Sequence, residues 1–305
     1  MATINDVAAL AQVSKATVSR YLNNKSVSKK TKIIIKKAID ELGYVPSQIA
    51  QGLSNKKSNI IGIIVPDIIN PFFSELVSQI EKKAINDNCS CMIFASNNDI
   101  DIEKKSIQTC IDYSVQGIIM ATSNILNDMK IDIPMVAIDR DYGNSIKYVG
   151  IDNKKVGHII LDYFIKEGCS KILCVMGPTN VTTTREREQG IVDKALQHEI
   201  EVDFINTSYF DIDKISTDIM NLKNENIKYD GIFLGNEIIC LVYLKLRMKK
   251  DCVLMSMDGT FLSSLLFNDI KVIKQPIIEM AHSAYQMLLQ WNDQTERIIL
   301  DVEVI

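Results

Sequence analysis

The run Val13-Ser14-Lys15-Ala16-Thr17-Val18-Ser19-Arg20-Tyr21-Leu22-Asn23 sets the character of the first sixty residues. Val18 and Leu22 stand four apart, which puts both on one helix face, and Ser14 precedes them as a cap. The spacing predicts a helix over 15–22. Upstream, Ile4, Val7, Ala8, Leu10 and Ala11 recur near helical spacing, with Thr3 as cap and Asp6 three residues on. Gln12-Val13-Ser14 separates the two helices. Downstream, Ile34, Ile35, Ala38, Ile39 and Leu42 share a face of a third helix from Thr31, ended by Gly43. Three short helices, the first two joined by a tight turn, fit a helix-turn-helix module whose second helix enters the major groove. Lys15, Ala16 and Arg20 would then face base edges, with Thr17 and Ser19 near phosphates. Arg20 can fork onto guanine, and Ala16 can touch a thymine methyl.

Any amphipathic three-helix domain shares this pattern, so charge is the next discriminator. Residues 1–58 hold ten Lys+Arg against three Asp+Glu; the remainder holds 24 against 35. The net charge of −4 therefore conceals a basic head on an acidic body, as expected for a nucleic-acid-binding module joined to something else. A hydrophobic content of 47% and a charged content of 24% exclude a disordered chain, a collagen or a small disulfide scaffold. No apolar run approaches the ~18 residues of a membrane span. The N-terminus carries no basic patch followed by an apolar core, so a cytoplasmic location is expected. The seven cysteines are odd in number and lack metal spacing, which predicts reduced, mostly buried thiols. His158, His198 and His282 are isolated, so neither a metal nor a cofactor is expected.

From Asn59 onward, apolar runs alternate with helical patterns. Ile60–Val65, Cys91–Ala95, Gly117–Ala121, Met135–Ile138, Ile172–Met176, Gly231–Leu234 and Val253–Met257 read as buried strands, and 72–85 reads as a helix. The expected fold class is α/β, with parallel doubly wound sheets. Roughly 245 residues exceed one small sheet, so two lobes with a cleft are expected, and ligands bind at strand carboxyl ends. No Gly-x-Gly-x-x-Gly, Walker loop or Gly-x-Ser-x-Gly elbow occurs, which argues against an enzyme of the nucleotide-binding type and leaves a sugar-processing enzyme as a distant alternative. Strand ends instead carry Asn70, Phe72, Phe73, Asp139, Arg140, Arg185, Arg187, Phe210, Asn236, Asp258 and Gln275. Carboxylates, guanidinium groups and amides can take adjacent hydroxyls in pairs, and phenyl rings cover C–H faces, a chemistry that suits a sugar. Each residue alone could equally be a loop charge or a helix cap; Asn70, Asn236 and Asp258 are expected to open helices.

Thr3-Ile4-Asn5-Asp6-Val7-Ala8, the run 13–23 and Glu41-Leu42-Gly43-Tyr44-Val45-Pro46 together resemble the DNA-binding head of the lactose repressor family. The resemblance implies a homodimer on double-stranded operator DNA. It further implies a hinge segment that folds only on DNA, where a leucine from each subunit wedges into the minor groove. Leu53 matches that leucine. Gln51-Gly52 departs from the basic residue often found there, and glycine costs about 1 kcal/mol in a helix interior. The body resembles the periplasmic sugar-binding proteins, the ribose-binding protein most closely. The matches are Asn70-Pro71-Phe72-Phe73, Asp139-Arg140, Arg185-Glu186-Arg187, Phe210-Asp211, Asn236-Glu237, Asp258-Gly259-Thr260 and Gln275-Pro276. Sugar contacts carried over from this likeness are Asn70, Phe72, Phe73, Asp139, Arg140, Arg187, Phe210, Asn236, Asp258 and Gln275, and they suggest ribose or a close pentose. Ser256-Met257 departs from the usual Gly-Phe, and 126–133 and 247–251 look short. The implied organisation is a helix-turn-helix domain at 1–46, a hinge at 47–58, and an effector-binding and dimerisation body at 59–305. Lobe 1 would cover about 59–154 and 276–291, and lobe 2 about 155–275 and 292–305. The expected function is repression of a sugar-uptake operon under the control of a small sugar.

Overall fold

A hydroxyl starts each helix of the N-terminal domain. In α1 (Ile4–Leu10), Thr3 and Asp6 form the reciprocal capping box. In α2 (Lys15–Leu22), Ser14 Oγ accepts from the Thr17 N–H at 3.2 Å. In α3 (Lys29–Leu42), Ser28 does the same for Thr31 at 3.1 Å, so this helix starts two residues before the expected Thr31. Gly43 closes it in the left-handed region, at φ 57°. Val7, Ala8, Ala11, Val18, Ile35 and Ala38 form the core of the three helices. Ile34, expected inside, is 40% exposed. With Ile35 and Ala38 aimed inward, each further residue turns 100° around the axis, and Ile34 falls off the buried face. This structure is a computed structural model that describes residues 2–23, 25–45, 58–122, 124, 131–141, 146–223, 227–246, 252–266, 269–292 and 294–305. Hinge residues 47–57, Leu53 among them, lie outside these, as do 126–130 and 247–251.

The body is built on two six-stranded sheets. The first runs β2 (Ser90–Ala95), β1 (Ile60–Val65), β3 (Ile118–Met120), β4 (Met135–Ile138), β5 (Lys147–Ile151) and β11 (Arg297–Leu300), all parallel. Strands β1, β3, β4 and β5 are buried almost throughout, as strands covered by helices on both faces must be. Helices α4 (Pro71–Asn86) and α11 (Ile277–Leu289) share one core with this sheet, including Leu76, Ile80, Met280, Ala284 and Tyr285. Ile107 and Cys110 of α5 (Ile100–Asp112) belong to a separate core cluster with Ile64 and Ile118.

The second sheet runs β7 (Glu201–Asn206), β6 (Lys171–Met176), β8 (Gly231–Leu234), β9 (Val253–Asp258), β10 (Lys271–Lys274) and β12 (Glu303–Val304), with β12 antiparallel at its edge. Helices α6 (Asn153–Lys166) and α7 (Thr182–His198) contribute to one of its cores. Helices α8 (Ile212–Lys223) and α9 (Glu237–Lys245) contribute to the other.

Three segments pass between the lobes: β5 to α6, β10 to α11, and β11 to β12. The expected placement of all of 292–305 in lobe 2 is corrected by β11. Arg297 pairs with Tyr148 and Ile299 with Gly150 in the first sheet, and Ile298 and Leu300 pack on the first-lobe core. The last crossing therefore lies at 300–303. All seven cysteines are free thiols, and burial pushes those of Cys110 and Cys240 up to about 12. Among the described residues no helix is long and apolar enough to cross a membrane.

Candidate ligand site and DNA-reading helix

Strand carboxyl ends of both sheets face one cavity. From the first lobe come Asn70, Phe72, Phe73, Asp139 and Arg140; from the second come Thr183, Arg187, Tyr209, Gly235, Asn236, Asp258 and Gln275. Asn70 caps α4, its Oδ1 accepting from the Phe72 N–H at 3.1 Å. This fixes Phe72 and Phe73, whose rings meet edge to face with centroids 5.1 Å apart. Asp139 follows β4 at φ 64°, and the Tyr148 hydroxyl donates to its carbonyl at 3.1 Å. Asp258 ends β9 at φ 98°. Non-glycine residues in the left-handed region carry strain, and strain of this kind concentrates at functional sites.

Arg187 owes its place to a close helix crossing. A Cβ on Gly157 would lie 2.3 Å from the Arg187 carbonyl oxygen, and one on Gly190 would lie 2.1 Å from that of Lys154. With both positions glycine, α6 and α7 come close enough for Arg187 Nη2 to donate to Asn153 Oδ1 at 2.7 Å. Gln275 Nε2 donates to Asp258 Oδ1 at 2.9 Å. Four buried polar atoms of the lining residues then have no hydrogen-bond partner: Arg140 Nε, Arg187 Nε, Asp258 Oδ2 and Gln275 Oε1. A buried polar atom left unpaired costs about 1–3 kcal/mol, so four around one cavity mark a seat for a polar ligand.

The formal charges of the cavity, two arginines against two aspartates, cancel once both carboxyls are ionised, and in that state a neutral ligand is favoured over a dianion. Burial raises the Asp139 carboxyl, while Arg140 and Arg187 pull it back. Burial also lifts Asp258, to about 7; Glu237 and Asp139 add to the rise, and Gln275 and Arg187 oppose it. The cleft holds about 330 Å³ of empty space, part of it open to solvent, and its walls stand close.

Nine of the ten expected sugar contacts line this cavity. Phe210 does not. It is half-buried against the core beside α8 and α9, and Tyr209 takes the lining position. Tyr209 fits because residue 177 is glycine: a Cβ there would lie 1.9 Å from the tyrosine ring. Its hydroxyl bonds Thr184 Oγ1 at 2.6 Å. Asn236 does open a helix, accepting from the Ile239 N–H at 2.8 Å, and it also donates to the Tyr209 carbonyl at 2.9 Å. Asp258 opens none, since α10 (Phe261–Leu266) starts three residues later. Thr183 and Tyr209 were not legible as lining residues. The only sequence signal for Tyr209 is Gly177 after a buried strand, and it gains meaning once the fold is known.

On the head, α2 exposes Lys15, Ala16 and Arg20 and half-buries Thr17 and Ser19. The Thr17 hydroxyl bonds Ser14 Oγ at 2.8 Å, and the Ser19 carbonyl accepts from Asn23 Nδ2 at 2.9 Å. Lys15 and Arg20 therefore stand free of the helix's own capping.

A basic three-helix head followed by two α/β lobes closed on a neutral polar cavity defines a ligand-responsive DNA-binding protein. Residues 3–47 match the model of bacterial regulatory proteins of the lacI family, and residues 58–238 match that of periplasmic binding proteins and the sugar-binding domain of the same family. The chain belongs to the lacI family. It is 31% identical to the ribose operon repressor of Halalkalibacterium halodurans over 310 aligned residues, which cover 99% of this chain and 92% of that protein. Its structure resembles the lac repressor dimer bound to operator and an anti-inducer, with a TM-score of 0.85 and 22% identity, covering 100% of this chain and 97% of that one. It also resembles a periplasmic binding protein/LacI transcriptional regulator of Alkaliphilus metalliredigens complexed with D-xylulofuranose. There the TM-score is 0.74 and the identity 28%, with 81% and 97% covered. The chain is thus a sugar-responsive, DNA-binding transcriptional repressor of this family and not an enzyme.

Proposed function

We propose that the effector is a small neutral sugar, D-ribose first among pentoses, and that it controls binding of a cytoplasmic homodimer to a pseudo-palindromic operator of a sugar-uptake operon. The observation that carries the sugar reading is the set of four unpartnered polar atoms, two from arginines, around a cavity with cancelling charges. Hydroxyl groups satisfy such atoms as donors and acceptors at once. The aromatic pair Phe72–Phe73 supplies an apolar wall for ring C–H groups. The relative named as a ribose operon repressor and the neighbour holding a ketopentose both support a five-carbon ligand. A sugar phosphate is disfavoured, because the two aspartates would repel it. In the operator complex Lys15, Ala16, Thr17, Ser19 and Arg20 of each head meet one half-site, and the paired Leu53 residues wedge at the centre. Sugar shifts the angle between lobes and disfavours the DNA-bound hinge, an equilibrium biased by differential affinity for two states.

Calorimetry on the whole protein tests the ligand. D-Ribose should release binding heat, and Arg187→Ala should weaken it by at least about tenfold, the scale of one charged hydrogen bond. A deoxy analogue should bind far worse than D-ribose, because its partner atom stays buried and unpaired. Absence of D-ribose binding beside clear binding of another sugar would replace ribose and keep the class of ligand.

A further inference from the structure

Glu103 is a fully buried carboxylate that the cavity does not use. Burying a charge is costly unless hydrogen bonds hold it. Here four strand-end groups do so or depend on it. Ser96 Oγ donates to Glu103 Oε1 at 3.3 Å, the Thr122 hydroxyl donates to the same oxygen, and Asn124 Nδ2 donates to Oε2 at 3.0 Å. The Asn124 amide also donates to the carbonyl of Asn98 at 3.0 Å. The ends of β2 and β3 are thus tied to one point on α5.

Asn98 is where this network meets the cavity. It sits at φ 59°, beside Asn97 at φ 52°, a conformation that asparagine tolerates better than most residues. Its backbone N–H donates to Ser96 Oγ at 3.3 Å, and its side-chain oxygen accepts from Arg140 Nη1. The Arg140 guanidinium carbon lies 5.5 Å from the Phe73 ring centroid, and Nε lies 3.8 Å from Asp139 Oδ2 without a hydrogen bond. Asn98 therefore accepts the hydrogen bond that fixes which guanidinium edge is consumed by the protein and which is left over. Because the acceptor is a neutral amide, the arginine's charge is not cancelled by it.

We propose that Asn98, locked in a left-handed turn by the buried Glu103 network, is a positioning residue that holds Arg140 with Nε free for the ligand. The proposal rests on the sugar reading of the cavity for its consequence, but not for its geometry.

The variant that isolates the side chain is Asn98→Gly, since glycine keeps the positive φ at no steric cost. Asn97→Gly is the control. The first readout needs no ligand. The chain has six arginines, so a ¹⁵N spectrum of the Nε–H groups is sparse, and Arg140→Lys assigns the Arg140 signal. In the sugar-free protein that signal should be dispersed and slow to exchange. Asn98→Gly should collapse it to the position of exposed arginines, and Asn97→Gly should leave it in place. The second readout is calorimetry with D-ribose. Asn98→Gly should raise Kd at least about tenfold, the scale of one hydrogen bond to a charged group, and should add nothing in an Arg140→Ala background. An unchanged Arg140 signal in Asn98→Gly overturns the proposal. So does a collapsed signal with unchanged ribose affinity, or an equal loss of affinity in the Arg140→Ala background. Absence of ribose binding by the wild-type protein refutes the ligand reading instead, and the spectrum alone then decides the positioning.

Discussion

At the scale of single residues, the Asp258 carboxyl has the most consequence for chemistry. Its value of about 7 arises first from burial and then from the neighbouring Glu237. A sugar hydroxyl that donates to Asp258 Oδ2 prefers the ionised form. Affinity for D-ribose should therefore fall from about pH 8 to about pH 6, and binding near neutrality should release protons. Calorimetry in buffers of different ionisation heat reads that release. Asp258→Asn should bind sugar more weakly and with a flat pH profile; a slope that survives the substitution would assign the titration to another group. For the sugar-free protein the sign is the opposite of a salt-bridged aspartate. The folded pKa lies above the ordinary aspartate value of 3.8, so the folded state holds the proton more tightly. This group's contribution to stability falls as pH rises from 3.8 to about 7. Nine of the cavity's lining residues were legible from residue type at strand ends, because strand ends are where such sheets bind. Tyr209 was not, since the choice between two adjacent aromatics depends on how a short loop turns over Gly177.

At the scale of elements, the crossing of α6 and α7 at Gly157 and Gly190 carries Arg187 into the cavity. Gly190→Ala would place a methyl 2.1 Å from a backbone oxygen that cannot yield cheaply. The helices must separate, at an expected cost of roughly 1–3 kcal/mol in thermal or denaturant unfolding. Sugar affinity should drop as well, because the Asn153–Arg187 bond depends on that approach; full affinity in a destabilised variant would separate the two effects and deny the link. The legible elements were those with continuous apolar runs, such as β1, β4 and β6, and helices with clear caps. β5 was missed because its sequence, Lys147-Tyr148-Val149-Gly150-Ile151, begins with a charge and carries a glycine. That lysine is nevertheless buried, held by Asn292 Oδ1 at 2.9 Å and Glu296 Oε2 at 3.4 Å. β11 was missed because an edge strand buries only one side, and periodicity over four residues is too short to show it. Its pairing with β5 decides where the last crossing falls.

At the scale of the whole molecule, the basic head and the neutral cavity are read out together. Operator affinity should fall steeply with salt, as counterions return to phosphates released by lysine and arginine. Leu53→Ala should reduce operator binding and bending more than it reduces non-specific binding; an unchanged bend angle would remove the wedge. Whatever factor the sugar applies to operator affinity, operator DNA must apply to sugar affinity, because coupling is reciprocal. Measuring both on one preparation checks that a single two-state equilibrium links the sites; unequal factors would require a third state.

The three crossings also dictate when this chain can fold during its own synthesis. Residues 60–151 supply five strands of the first sheet, but α11, which packs Met280, Ala281, Ala284 and Tyr285 into its core, is translated more than a hundred residues later. At ~5–20 residues per second, that face waits on the order of ten seconds for its cover. Meanwhile the second lobe through β10, all of its sheet except the edge strand β12, leaves the ribosome between the two parts of the first. The lobe that begins first therefore waits longest for the helix that closes its core. In the interval its open apolar face is a natural client for a chaperone, and a ribosome stalled before codon 277 would release a chain whose second lobe lacks only β12 and whose first lobe lacks α11 and β11.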